Sequence, residues 1–137
     1  MSLVLEGPLN DQASVCIPLL RLLPDWFGDE AAILNFEREI DHLPTFLFTN
    51  NGPALGFFCL KQHTFSSTEI LVMAVQPTVH RGGIGRALVA VAKAFARSMA
   101  IAYMQLKTLG PSNPDPGHVK TRTFYEPLGY RPMDEFL

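Results

Sequence analysis

The stretch EILVMAVQPTVHRGGIGR, residues 69–86, restricts the fold more than any other part of the chain. It reads as an apolar strand from Ile70 to Val75, a break at Gln76-Pro77, and a turn, His80-Arg81-Gly82-Gly83-Ile84-Gly85, that opens a helix. A strand that feeds a glycine-rich turn at a helix N-terminus leaves backbone N–H groups aimed outward at the positive end of the helix dipole. Such a turn is an anion site. Glycines 82, 83 and 85 remove the side chains that would keep a phosphate from the backbone, and they permit positive φ where the turn needs it.

Two common phosphate loops do not fit. A Walker A loop requires Gly-Lys followed by Ser or Thr, and none follows Gly85. A dinucleotide fingerprint requires a third glycine where Leu88 stands, and an acidic residue near the place taken by Lys107. The turn does resemble the acyl-CoA loop of the GCN5-related N-acetyltransferase (GNAT) superfamily, Gln/Arg-x-x-Gly-x-Gly/Ala, with Gly83 and Gly85 at the glycine positions and His80 in place of the first residue. The resemblance implies that the amides here hold the pyrophosphate of acetyl-CoA.

A second motif lies further on. Residues 121–130, TRTFYEPLGY, resemble the family's Phe-Tyr-x-x-x-Gly-Phe segment, with Tyr130 for the final Phe and Pro127 unusual within it. The segment 106–112, LKTLGPS, resembles a bacterial branch of the superfamily. Two motifs at the right interval are far more specific than one.

The order of elements agrees with this. Residues 2–6 suit a first strand broken by Gly7-Pro8. Asp11 can cap a helix to about Leu23 with Val15, Leu19, Leu22 and Leu23 inward, and Trp26-Phe27-Gly28 makes a turn with exposed aromatics. Residues 29–42 repeat the helical period through Ile33, Phe36, Ile40 and Leu43, with Glu37, Arg38 and Glu39 as the wet face. Strands at 45–49 and 55–63 flank the turn signal Asn50-Asn51-Gly52-Pro53, and with residues 69–75 they predict an antiparallel meander.

After the turn, Ile84, Leu88, Val91, Ala92, Phe95 and Met99 share one helical stripe that packs on a sheet. Residues 101–107 form the next strand, parallel to 69–75 through a βαβ crossover. A loop at 109–117, a short helix at 119–126 and a final extended segment at 130–137 complete the chain. The expectation is one GNAT domain over residues 1–137, an α+β (α/β/α) sandwich with a mixed central sheet of about six strands and helices on both faces. Family members commonly continue with a further strand beyond the point where this chain stops at Leu137. A domain that ends short, a truncated chain and an edge supplied by a partner subunit all fit, and an uncovered edge makes association into a homodimer the expectation.

Composition narrows the class. A chain of 137 residues is one domain by size. Net charge is −2 with no basic run, so no nucleic-acid footprint is expected. No apolar run is long enough to cross a bilayer, and the two cysteines, Cys16 and Cys59, have no metal-type spacing. No membrane association is expected, and a cytoplasmic protein with reduced thiols is. Cys59, in the run Phe57-Phe58-Cys59-Leu60, reads as buried filler. His42, His63 and His118 show no ligand spacing, and no metal is assigned.

Acetyl transfer to an amine needs a neutral nucleophile, a donor for the developing oxyanion and a proton for the departing thiolate. The family places a glutamate on the strand before the turn, here Glu69, as the general base, and a tyrosine in the later motif, here Tyr125, as the general acid. The alternatives are a surface glutamate flanking a strand and a half-buried tyrosine beside Phe124. A thiol has a pKa of about 8.5 and a phenol about 10, so Tyr125 serves only if held close to the sulfur. Met73, Ala74 and Val75 would offer backbone groups to pantetheine and the thioester oxygen. Around the phosphates, Gly82, Gly83, Ile84 and Gly85 would give amides. Arg81 and Arg86 would add charge there, and His80 either touches phosphate or lies exposed.

The resemblance implies an acetyl-CoA-dependent N-acetyltransferase acting on a primary amine of a small molecule or peptide. A non-catalytic acyl-CoA-binding regulatory module on the same fold is the alternative. A nucleotide-binding α/β protein of another kind is disfavoured by the glycine count and by the hairpin before the turn.

Overall fold

The computed structural model describes residues 3–79 and 82–106. Over these, five strands form one mixed sheet in sequence order: β1 (Val4–Leu9), β2 (Thr45–Thr49), β3 (Ala54–Thr64), β4 (Ser67–Val75) and β5 (Tyr103–Leu106). Helices α1 (Ala13–Arg21) and α2 (Glu30–Ile40) cover one face, and α3 (Ile84–Ser98) covers the other. This is the layered α+β sandwich that the sequence predicts. The expected sixth strand and the short helix before it lie outside the described residues.

The meander β2-β3-β4 is antiparallel throughout, and β5 runs parallel to β4 from the pair Ser67–Tyr103 to the pair Ile70–Leu106. The first hairpin closes where Asn51 and Gly52 take positive φ, 54° and 121°. All five residues of β2 are buried, because both of its faces are covered. Leu47 joins the cluster under α1 and α2, whereas Phe46 and Phe48 join the cluster under α3. Phe46 stacks on Phe58 with ring centroids 4.8 Å apart and meets Phe95 edge-on at 5.1 Å. Helix α3 lies close on β3, since a Cβ at Gly56 would stand 3.1 Å from both Ile84 Cγ2 and Leu88 Cδ1.

Five local expectations are corrected. Strand β1 runs through Gly7-Pro8 to Leu9, with a register shift between Glu6 and Leu9. Gly7, at φ 135°, lies where any Cβ would come 2.7 Å from the Thr45 carbonyl oxygen. In α1 the cap is not Asp11, which stands outside the helix at φ 59°. Asp41, at the end of α2, accepts the Ala13 N–H through Oδ1 at 3.0 Å, and its carbonyl accepts the Asp11 N–H at 3.1 Å.

The inward stripe of α1 is shifted as well. Leu19 and Leu23 are buried as expected, together with Ala13, Cys16, Ile17 and Leu20, while Val15 and Leu22 are 40% and 54% exposed. In so apolar a helix several stripes are available, and the i, i+3, i+4, i+7 set that faces the sheet wins. Trp26 and Phe27 are half-buried against this cluster, with Phe27 edge-on to Phe36, and so are not an exposed turn. Finally, α3 ends at Ser98, which leaves Met99 exposed at the end of its predicted stripe.

Candidate active site

Strand β4 carries the site, and a bulge divides it. Cys59 pairs with Val72 and Leu60 with Ile70, so Leu71 is an extra residue in β4. The alternation of faces reverses there. Ile70 packs under α3, Val72 and Ala74 pack under α1 and α2, and Met73 and Val75 return to the α3 side. Of the three residues expected beside pantetheine, Ala74 is therefore core by its side chain, and only its backbone is available for a ligand.

Gln76 ends the strand with a clamp: its N–H donates to the Leu55 carbonyl at 2.8 Å and its Nε2 to the Ala54 carbonyl at 3.2 Å. A 3₁₀ turn, Pro77–Val79, follows, and the Gly82 N–H donates to the Val79 carbonyl at 3.1 Å. Gly83 is the N-cap of α3 in the left-handed conformation, φ 83°, and a Cβ there would meet nothing within 4 Å. Its lack of a side chain leaves the first-turn amides of Ile84, Gly85 and Arg86 without a side-chain cap from that position, and no acidic residue stands in the turn. Ile84 is 2% exposed and anchors the helix in the core, so its contribution to a ligand is its amide. Arg86 is exposed. This geometry suits an anion: open space at the Gly83 position, a helix N-terminus and, among the described residues of its first turn, the positive charge of Arg86. His80 and Arg81 lie outside the described residues.

At the other end of β4, Glu69 is not a surface residue. It is 2% exposed, on the face toward α2, and its Oε1 lies 2.7 Å from His63 Nε2. The His63 side chain is 35% exposed. Next along β3, Lys61 faces Glu69 and binds Glu39 of α2 at 2.6 Å. The hydrogen bond and charge of Glu39 hold the Lys61 ammonium above its ordinary pKa, with a smaller contribution from Glu69. Glu39, expected on the wet face, thus ties α2 to the site. Along an extended strand Glu69 and Met73 are about 13 Å apart at most, so a proton between them crosses bound acceptor or water. Tyr125 lies outside the described residues.

His63 and Gln76 are the residues that the sequence reading passed over. The sequence shows His63 only as a histidine without metal-ligand spacing. Strand alternation would have shown only that it shares a face with Lys61. Cys16 and Cys59 are fully buried, and burial pushes their thiols up to about 12 and about 11. Among the described residues no three His, Cys, Asp or Glu side chains are grouped to hold a metal ion, and no helix is long and apolar enough to cross a membrane.

A mixed sheet with a glycine turn leading from a central strand into α3, and a parallel strand returning beside it, is the architecture of the acyl-CoA N-acyltransferase fold. The chain belongs to the GNAT acetyltransferase family, whose domain model, "Acetyltransferase (GNAT) domain", matches residues 41–132. No curated protein matches it in sequence. Among solved structures it is similar to a protein described as a GNAT-family acetyltransferase from Desulfovibrio desulfuricans, with TM-score 0.84 and 17% identity over 97% of this chain and 87% of that one. It is also similar to the PaiA N-acetyltransferase from Thermoplasma acidophilum in complex with coenzyme A, with TM-score 0.79 and 16% identity over 99% and 94%. A third is AAC(6')-Iy bound to the bisubstrate analogue CoA-S-monomethyl-acetylneamine, with TM-score 0.73 and 17% identity over 100% and 96%.

Proposed function

We propose that this chain is an N-acetyltransferase that moves the acetyl group of acetyl-CoA to a primary amine of a small molecule or peptide. The observation that carries the reading is the left-handed Gly83 cap, which opens α3 toward solvent with room for a phosphate against its first-turn amides. The cosubstrate is acetyl-CoA, and the similar structures include one holding coenzyme A. The likeness to an enzyme crystallised with an acetylated aminoglycoside analogue supports a small-molecule acceptor. In this reading Glu69 is the carboxylate of the base, and a buried carboxylate next to an imidazole suits that role. Tyr125 is the acid that protonates the leaving thiolate, and Met73, Ala74 and Val75 line the pantetheine arm with backbone groups.

Calorimetric titration with acetyl-CoA, followed by CoA-release assays with amines, tests the reading. Acetyl-CoA at about 100 times its Kd raises stability by about 2.7 kcal/mol. Tyr125→Phe is expected to lower turnover about 100-fold or more while acetyl-CoA affinity stays within about twofold. Unchanged turnover removes Tyr125 from the mechanism, and a folded chain that does not bind acetyl-CoA removes the whole reading.

A further inference from the structure

Glu69 is a poor first contact for a substrate. Its side chain is 3% exposed, and Oε1 is engaged by the His63 ring at 2.7 Å. A general base has to come within hydrogen-bond reach of the proton it removes, directly or through one water. The group of this pair that reaches solvent is His63, whose side chain is 35% exposed.

We propose that His63 is the proton-accepting end of the base, and that Glu69 is its positioning residue. This rests on the acetyltransferase reading above. As a carboxylate Glu69 only accepts hydrogen bonds, which puts the hydrogen of the neutral ring on Nε2 and leaves the lone pair on Nδ1. Nδ1 makes no hydrogen bond among the described residues, so it is the atom that meets the acceptor. Among the described residues the charged groups facing the ring are Glu69 from β4 and, one position further on the same face, Lys61 of β3, which is paired with Glu39 of α2. A carboxylate therefore lies behind the imidazole that takes the proton.

The proton balance closes without another reactant. One proton passes from the acceptor ammonium to Nδ1 and then to water. The neutral nitrogen forms its C–N bond to the thioester carbon as the C–S bond breaks. A second proton leaves that nitrogen and matches the one taken by the thiolate. Ammonium and acetyl-CoA thus give the amide, the CoA thiol and one released proton.

The pattern of the sequence did not reveal this pair. His63 has no ladder partner of its own, because the register of β3 and β4 slips between the pairs Gln62–Thr68 and Thr64–Ser67. That slip brings the ring back over Glu69, six residues along the chain.

Two measurements on the full chain test the proposal. Long-range ¹H–¹⁵N spectra of the imidazole, which need no acceptor, are expected to show the neutral His63 ring protonated at Nε2, and to lose that preference in Glu69→Gln. In parallel, His63→Gln is expected to lower kcat/KM for CoA release, with neamine and a lysine peptide as probe amines, by about 100-fold or more. Its acetyl-CoA affinity is expected to stay within about twofold, and added imidazole to restore part of the rate, which a merely structural role would not allow. A ring protonated at Nδ1 overturns the proposal, as does a His63→Gln chain that turns over at the wild-type rate. In both cases the acetyltransferase reading stands if the chain binds acetyl-CoA. A folded wild-type chain that does not bind acetyl-CoA overturns that reading, and the role of His63 with it.

Discussion

At the C-terminal end of β4 the candidate site is made of backbone: a clamp by Gln76, a 3₁₀ turn, and a glycine whose φ of 83° turns the first amides of α3 outward. At the N-terminal end it is made of side chains, a buried glutamate and a half-covered histidine that meet only because two strands slip past each other. The first kind of site is local. It needs a few consecutive residues of the right conformational freedom, and it tolerates any side chain that stays out of the way. The second kind is a product of register, in which one residue more or less in either strand separates the partners.

The comparison breaks most sharply at Gly83. Gly83→Val puts a β-branched residue in left-handed backbone, at a cost of about 1–2 kcal/mol, and projects methyl groups into the open space over α3. Acetyl-CoA affinity is expected to fall at least 100-fold by calorimetry while the chain stays folded. Wild-type affinity would mean that the phosphates lie elsewhere. Glu69→Gln supplies the contrast, since the same titration should be unchanged by it.

Gly56→Val has the next largest effect and acts through packing. Two side chains of α3 already stand 3.1 Å from the place of a Cβ. Overpacking of this kind costs about 1–3 kcal/mol, and because it tilts the start of α3 it should lower both Tm and acetyl-CoA affinity. A loss of Tm alone would show that the turn keeps its shape independently of the helix below it. The smallest effect is expected from Asp41→Ala, which removes the cap of α1 on the opposite face. Stability should fall by about 1 kcal/mol in denaturant unfolding, with acetyl-CoA affinity unchanged. A change in affinity would couple the two faces of the sheet.

The same contrast explains what could be read in advance. The meander, the parallel fifth strand and the helix after the turn follow from hydrophobic period and turn residues, which are properties of neighbours in sequence. The inward face of α1 followed only in part, Leu19 and Leu23 but not Val15 and Leu22, because an almost wholly apolar helix offers several stripes and the sheet selects among them. Its cap did not follow either, since the acceptor is 28 residues away on α2. Glu69 was legible through its place before the glycine turn, but its burial and its bond to His63 were not. Those depend on Leu71 and His63 each being an unpaired residue in its strand. Tyr125, His80 and Arg81 rest on the sequence alone.

The buried thiols have a practical consequence. CoA release is followed with reagents that react with thiolates, and thiolates form in proportion to pH above the thiol pKa. Cys16 and Cys59 are fully enclosed and are pushed up to about 12 and about 11, and the chain has no other cysteine. Near neutral pH the two thiols of the native chain are therefore expected to react slowly with the dye, so that the early colour is product. On denaturation the same dye finds two sulfurs per chain, so a single reagent reports catalysis while the fold holds and its loss when it does not.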